Sequence, residues 1–587
     1  MHAGKMLIMI LGFLNLILPG AAVGEPVGIS DGWRLRAGDD AAWARPDFDD
    51  RGWVKVKTGV SWTKAGFPDL HGYVWLRVRF RVPETWKKDK RVAAFGGLRL
   101  DLGPVDDVDE AFFNGEKVGA TGSFPPEYRS AWWEPRGYLL PARLVRWGGE
   151  NVIAIHVYDG GGEAGLTGSP IRVRFPEEAD MIRATLRFAP ENGLVPAGRE
   201  LVVAVRMVNA AATAIRGKLE CAWTGDKVAS PRVLAKTRRT VTIPANGELS
   251  ERFTWMPPGA GVWPVRITLS FRGGDPVALG AMPVSGPDRI ARPPTKPADF
   301  DRFWDDTRRA LDAVPAAPHV EPRPELSTTR VAVSQVELRS LGGVRIYGWL
   351  GVPRSPGPHP GLVIVPGYGS TLEPATGIED AVTLALNIRG HGSSTVDLDP
   401  GDSEIMYIGL TRSPAGYFYA GAFMDCIRGV DFLASLTQVD PGRIGIEGGS
   451  QGGGLSLATA ALDGRIVACA ADVPWLGDWP DYAETAPWAP ENFPKLLAAR
   501  RDLTMESVFA VLSYFDVMNL ADRIRCPVLV SMGLRDDVCP PRIILSTYNR
   551  IGAPRELYAY PDGDHGGGGE VHDRIRDAWM RRALARR

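Results

Sequence analysis

The chain has 587 residues, with 68 Lys and Arg against 69 Asp and Glu and a formal net charge of −1. So even a balance lacks the basic footprint of a nucleic-acid binder, and the length predicts three or four domains at about 150 residues each. The five cysteines (Cys221, Cys426, Cys469, Cys526 and Cys539) are an odd set in core-like contexts and read as free buried thiols. No C-x-x-C or H-E-x-x-H spacing occurs, so neither a metal nor a cofactor is expected.

Residues 1–24 read as an export signal: Lys5 gives the positive end, Met6 to Leu18 is apolar, Pro19-Gly20 breaks the run, and Ala22-Val23-Gly24 offers small residues for cleavage. The apolar run is too short for an ordinary spanning helix. No Cys stands beside the cleavage region, so no lipid anchor is expected there. The expectation is a secreted or periplasmic protein with no membrane association after signal cleavage.

Residues 25–177 look all-β. Trp75 to Val82 alternates strictly, as does Leu98 to Gly103. Phe112-Phe113-Asn114-Gly115-Glu116-Lys117-Val118 places an Asn-Gly turn between apolar ends, a hairpin signal. Asn151 to Tyr158 closes the block, and His156 reads as a packed strand residue. This order of pieces resembles the galactose-binding-like jelly roll found ahead of many glycosidases and sugar esterases. Trp62, Trp132 and Trp133 are its candidates for stacking on a sugar face, the alternative being a spacer domain. Residues 178–286 carry a second β pattern, Leu201 to Val208, Arg239 to Ile243 and Trp263 to Leu269, and read as an immunoglobulin-like sandwich without visible chemistry.

Ser285 to Pro297 is a stiff Pro-rich linker. It opens the last domain, residues 287–587, and leads into an amphipathic helix, Ala298 to Val314, whose Phe300, Phe303, Trp304 and Leu311 share a face. Gly361 to Gly369 is an apolar strand followed by a Gly-flanked turn at Tyr368, the place for an oxyanion donor. Gly401-Asp402-Ser403 with Asp562-x-x-His565 mimics the signature blocks of SGNH-type esterases, but the residues before Ser403 are polar and turn-like. Arg443 to Glu447 is a strand that runs into Gly448-Gly449-Ser450-Gln451-Gly452, a G-x-S-x-G nucleophile elbow, with an Ala/Leu-rich helix behind it. The backbone N–H of Gln451 is the second oxyanion candidate. Val473 to Pro494 is Pro-rich and holds Trp475, Trp479, Tyr482, Trp488 and Phe493, suited to a pocket wall or lid, with Trp475 the first choice for substrate contact.

A serine needs a base, and the base a carboxylate. Pro527 to Gly533 reads as a buried strand that ends in Asp536-Asp537, either of which could be the acid. Of the two histidines after Ser450, His565 follows the strand Glu556 to Tyr560 and is the candidate base. His572 falls in a helical pattern and reads as an exposed helix residue.

The stretch Tyr417 to Pro474 and the run YFDVMNLADRIRCPVLVSMGLRDDVCPP, from Tyr514 on, resemble the acetyl xylan esterase and cephalosporin C deacetylase family, carbohydrate esterase family seven. The likeness spans about residues 295–587. It implies an α/β-hydrolase that removes acetyl groups from O-acetylated sugars, with Ser450 as nucleophile, Asp536 as acid and His565 as base, and with Tyr368 and Gln451 at the oxyanion positions. Two departures stand out: the family's Arg-Gly-Gln-Gly motif is Arg389-Gly390-His391-Gly392 here, and its His-Glu is His565-Gly566. They bear on local support of the site, on a possible homo-oligomer and on substrate range. His391 is expected to be structural, with a substrate-facing role as the alternative.

The fold class that follows is multidomain: an α/β-hydrolase, mostly a parallel sheet with helices on both faces, preceded by a β jelly roll and an immunoglobulin-like β-sandwich. The function read from it is a secreted, metal-independent serine esterase acting on acetylated carbohydrates such as acetylated xylan. Two alternatives are a serine peptidase of the prolyl-oligopeptidase type and a sugar-binding protein with a degenerate hydrolase module. No propeller-like repeat precedes the hydrolase, which disfavours the first, and the complete set of Ser450, Asp536 and His565 disfavours the second.

Overall fold

A computed structural model describes residues 24–585, apart from 63–65, 68–69, 127, 129, 132–133, 161–164, 228–230, 402–403 and 412. The export-signal reading of residues 1–24 falls almost wholly outside the described residues, as do Trp132, Trp133 and Ser403. Among the described residues no helix is long and apolar enough to cross a membrane.

The first third of the chain folds as two facing sheets. One runs through Gly72–Arg81, Glu150–Asp159 and Val108–Phe113, the other through Gly97–Asp106 and Pro135–Pro141. Their inward residues, among them Trp33, Leu76, Leu100, Phe113 and Ile155, form one core. Asn114 and Gly115 both take positive φ, 48° and 92°, as a tight turn between two strands requires. Trp62 is 1% exposed, so its ring has no free face for a sugar. His156 is packed in a stack, 4.5 Å from the Trp75 ring centroid and 4.8 Å from that of Phe124. A second pair of sheets follows. Ile182–Phe188, Leu201–Asn209 and Glu248–Trp255 face Ile215–Thr224, Val233–Ile243 and Val265–Ser270 across a separate core.

The linker lies along the next domain rather than spanning space. Arg292 donates to Asp481 at 2.6 Å, and the Thr295 N–H donates to Asn519 at 2.9 Å. Helix α1 (Phe300–Asp312) buries Phe300, Trp304 and Leu311, the expected face. Among the described residues the domain is built on nine strands: β1 (His319–Pro322), β2 (Val331–Arg339), β3 (Arg345–Pro353), β4 (His359–Val365), β5 (Val382–Asn387), β6 (Val439–Gly449), β7 (Ile466–Asp472), β8 (Val528–Gly533) and β9 (Arg555–Tyr560). Their order is β1-β2-β3-β5-β4-β6-β7-β8-β9. Pairings as far as β3–β5 are antiparallel, and every later one is parallel. This is an α/β-hydrolase sheet.

Side chains alternate between its two faces. Val363, Ile446 and Val530 join the core beneath α2 (Phe418–Ser435) and α3 (Gln451–Leu462). Leu362, Ala470 and Leu529 meet Trp579, Met580 and Leu584 of the C-terminal helix on the other face. Gly445 lets that helix close in: a Cβ there would stand 2.9 Å from the Met580 sulfur. The Pro-rich aromatic segment after β7 is mostly helical, α4 (Trp479–Thr485) and α5 (Ala489–Ala499), and forms a cap over the C-terminal ends of the strands. α6 (Pro541–Tyr548) follows β8, and α7 (Gly569–Leu584) is the C-terminal helix. All five cysteines are free and buried.

Candidate active site

β6 turns into α3 through Ser450, whose φ of 58° and ψ of −119° are sparsely populated for a residue with a Cβ. Glycines make the turn possible. A Cβ on Gly448 would stand 2.7 Å from the Val365 carbonyl oxygen, and one on Gly452 would stand 2.4 Å from it. The turn is tied at both ends: the Ser450 N–H donates to Asp472 O at 2.8 Å, and the Trp475 N–H donates to Ser450 O at 2.9 Å.

Two loops at the ends of neighbouring strands meet this serine. His565, from the loop after β9, has Nε2 3.0 Å from Ser450 Oγ. Its Nδ1 lies 3.0 and 3.2 Å from the two carboxylate oxygens of Asp536, from the loop after β8. Asp536 is fully buried and accepts the backbone N–H groups of Val538 at 2.9 Å and Cys539 at 2.8 Å, while Asp537 points to solvent. Of the two aspartates left open by the sequence, Asp536 is the one that reaches the histidine. A carboxylate held this way fixes the imidazole with hydrogen on Nδ1, leaving Nε2 free to take a proton from the serine.

The oxyanion candidates sit on facing turns. Tyr368 is anchored by its phenol, which donates to Glu404 at 2.9 Å and accepts the Met406 N–H at 3.2 Å; burial pushes its pKa well up. Gln451 is fully buried, with Oε1 accepting the Tyr419 hydroxyl at 2.7 Å. Among the described residues neither the Tyr368 nor the Gln451 backbone N–H is spent on a protein acceptor. His391 is 2% exposed and so does not face substrate; its Nε2 accepts the Gly369 N–H at 3.2 Å and lies 3.0 Å from Gln451 Nε2.

A cavity of about 180 Å³ opens at the serine, walled by Tyr368, Met406, Trp475, Tyr482, Trp488 and Val538. Trp475 is thus beside the nucleophile, with Tyr368 edge-on to it at 5.4 Å between ring centroids. Tyr482 and Trp488 come from the aromatic segment read as a pocket wall or lid. Met406 and Tyr419 are not singled out by sequence: each arrives from a distant segment, and no local pattern marks it. A larger cavity of about 360 Å³ lies at the opposite ends of the strands, against α7, and holds none of these groups.

One expectation is overturned. His572 is 2% exposed rather than an exposed helix residue. It faces inward from α7, with Nε2 2.7 Å from Asp472 Oδ1 and Nδ1 2.8 Å from the Tyr560 hydroxyl. Arg576 donates to the other Asp472 oxygen at 2.8 Å. Burial pushes the Asp472 pKa up, but these two partners outweigh it and hold the carboxyl below its usual range. The network underlies the elbow through the Asp472 carbonyl.

Among the described residues two groupings have metal-ligand chemistry. Ligand atoms of Asp536, Cys539 and His565 lie within 4.8 Å of one another, as do those of Asp106, Asp107 and Asp159 in the first domain. In the first grouping the acid and base are already engaged with each other and with Ser450. In the second, Asp107 is held by Tyr128 and Ser130 at 2.5 Å each.

The family model described as Acetyl xylan esterase (AXE1) matches residues 282–582. Acetyl esterase Axe7A of Xylanibacter ruminicola is 31% identical over 294 residues, covering 47% of this chain and 65% of its own length. The 2,6-dihydropseudooxynicotine hydrolase of Paenarthrobacter nicotinovorans is 28% identical over 232 residues, 38% of this chain and 57% of its own length. This chain therefore spans less than two thirds of the length of both curated relatives. The solved acetyl xylan esterase from Paenibacillus sp. R4 is 30% identical with a TM-score of 0.48, covering 50% of this chain and 98% of that one.

Proposed function

The chain belongs to the acetyl xylan esterase family, and on that footing we propose that it removes acetyl groups from O-acetylated carbohydrates through a serine acyl-enzyme. The observation that carries the mechanism is the unbroken chain Ser450 Oγ, His565 Nε2, His565 Nδ1, Asp536, with links of 3.0 Å at the elbow and at the acid. Ser450 attacks the acetyl carbonyl carbon while His565 Nε2 takes the hydroxyl proton. The carbonyl oxygen becomes an oxyanion received by the Tyr368 and Gln451 N–H groups. The intermediate then collapses: the C–O bond to the sugar breaks, and His565 returns its proton to the departing sugar oxygen. Water repeats the sequence on the acetyl-serine, giving its proton to His565, and acetate leaves. Asp536 holds the imidazole and stabilises its charged form without itself being protonated.

The small aromatic-walled cavity at Ser450 fits a short acyl group. Residues 1–24 are read as the export signal of a secreted or periplasmic enzyme. Residues 25–177 are read as a galactose-binding-like region in which Trp62, being buried, is not a stacking platform for a sugar. Residues 178–286 are read as an immunoglobulin-like sandwich.

Acetate release from acetylated xylan and hydrolysis of p-nitrophenyl acetate, with wild type beside Ser450→Ala and Ser403→Ala, test the reading. Loss in Ser450→Ala alone is the expected result. Turnover surviving that change would exclude the mechanism, and peptide cleavage without acetyl-ester turnover would move the chain to the peptidase reading.

A further inference from the structure

We propose that His391 is the positioning residue of the oxyanion hole: a neutral latch that holds both donor-bearing turns and releases them when it gains a proton. The inference rests on the reading that Tyr368 and Gln451 supply the two donors.

The tautomer follows from the partners. His391 Nδ1 is 3.2 Å from the Arg389 carbonyl oxygen, which can only accept, so Nδ1 carries the hydrogen. Nε2 is then bare, and two donors face it. One is the Gly369 N–H at 3.2 Å. The other is the Gln451 side-chain amide at 3.0 Å, oriented this way because its oxygen accepts from Tyr419. Gly369 follows Tyr368 in the chain, and Gln451 is itself the second donor residue. One lone pair therefore ties the turn after β4 to the first residue of α3. The Gln451 amide reinforces the tie at 3.4 Å from the Gly367 carbonyl oxygen.

The latch is firmly mounted. The Arg389 backbone N–H and guanidinium make three bonds of 2.8–2.9 Å to Asp425, which is fully buried on α2. The charged groups facing the ring are thus Arg389 from its own loop and Asp425 from α2, already paired with each other. Phe418 of α2, 6.3 Å away between ring centroids, adds no charge, and Tyr419 reaches the ring only through Gln451. Among the described residues the partners of Nε2 are these two donors, so a proton there would set one N–H against two others and push the turns apart. Burial accordingly pushes the pKa of His391 below the usual histidine value. A glutamine at this position offers an acceptor of similar reach that does not titrate.

The test measures kcat and KM for p-nitrophenyl acetate from mildly acid to mildly alkaline pH in wild type, His391→Gln and His391→Asn, with melting curves alongside. A nitrogen-15 histidine NMR titration of the wild type reads the tautomer without reference to turnover. Asparagine is too short to meet both donors. It should lower kcat about 10- to 100-fold with KM within about threefold, the pattern of a weakened oxyanion hole. Glutamine should keep kcat within about threefold of wild type near neutrality and show an acid limb one proton shallower. Nε2 should report as the bare nitrogen at neutrality. A glutamine variant that keeps the wild-type acid limb, or a folded asparagine variant with unchanged kcat, would overturn the latch while leaving the esterase reading intact. Should the asparagine variant not fold, the glutamine profile and the NMR tautomer decide. A wild type without ester turnover at any pH would overturn the esterase reading, and the oxyanion role of His391 with it.

Discussion

The Met282 N–H donates to the Leu534 carbonyl across 2.6 Å, joining the end of the second β region to the loop that carries Asp536. The contact has company. Gly193, from the same region, packs so closely that a Cβ on it would stand 2.4 Å from Leu534 Cδ1. Asp226 pairs with Arg542 of α6, and Lys227 pairs with Glu484 of α4 at 2.5 Å. The second β region is therefore fastened to the acid loop and to the cap.

Gly193→Val tests that fastening. The added side chain meets Leu534, two residues from the catalytic acid, and Gly193 has a φ of +69° that a β-branched residue resists. Expected are a loss of about 1–3 kcal/mol in unfolding free energy and a fall in kcat with KM little changed. Gly198→Ala is the control, since its φ is +77° but nothing lies within 4 Å. It should lose about 1 kcal/mol and no activity. Equal kcat in the two variants would mean that the β region does not position the acid. Denaturant melts and steady-state rates supply both numbers.

The triad should behave as one unit. Ser450→Ala and Asp536→Asn are each expected to cut kcat about 10⁴-fold or more, and the double variant little further. Additive losses, measured on p-nitrophenyl acetate, would show that the short bonds at His565 do not form a working relay.

Ser450 was legible because the strain of the elbow forces a local glycine pattern, and His565 because only two histidines follow it. Asp536 and Asp537 were not separable by position alone; what distinguishes them is burial, 0% exposure against an outward side chain. His572 was misread because its neighbours on α7, such as Val571 at 60% exposure, give a weakly patterned helix whose inward face is polar. Its partners Asp472 and Tyr560 arrive from two strands, a convergence no window of sequence displays. The aromatic segment reads from sequence as a Pro-rich wall or lid with no helices marked out, yet Pro480 stands in the first turn of α4, where a missing N–H costs nothing. The Met282–Leu534 bond is backbone to backbone, so it leaves no residue signature at all.

The buried Glu447, beside the part-buried Asp472, predicts a pH dependence. Arg576 bonds Asp472 at 2.8 Å but stands 3.7 Å from Glu447, so the second carboxyl is poorly compensated, and burial raises it to about 7. The folded pKa lies above the unfolded one, so the folded protein holds this proton where the unfolded chain does not. The stability it contributes is complete below the usual glutamate range and is lost as pH rises through about 7. Glu447→Gln, which mimics the protonated form, should therefore be less sensitive to pH between about 5 and 8, with a difference of up to roughly 3 kcal/mol from wild type. Urea unfolding at both ends of that window checks it; parallel profiles would show that Arg576 neutralises Glu447 after all.

The wall of the cavity predicts acyl selectivity. Trp475 is fixed at its backbone, whose N–H donates to the Ser450 carbonyl at 2.9 Å, and its ring packs against Tyr368 at 5.4 Å and Trp479 at 5.5 Å, so swinging it aside for a longer chain would break those ring contacts. Each extra methylene directed at this aromatic wall meets packed rings, and misfit of this kind costs about 1–3 kcal/mol. Wild type should hydrolyse p-nitrophenyl acetate with a kcat/KM at least about tenfold above that for the hexanoate ester. Trp475→Ala opens the wall without touching Ser450, His565 or Asp536, and should reduce or invert that ratio while lowering acetate turnover. A variant that kept the wild-type ratio would place the acyl group against other residues of the wall, such as Trp488 and Val538.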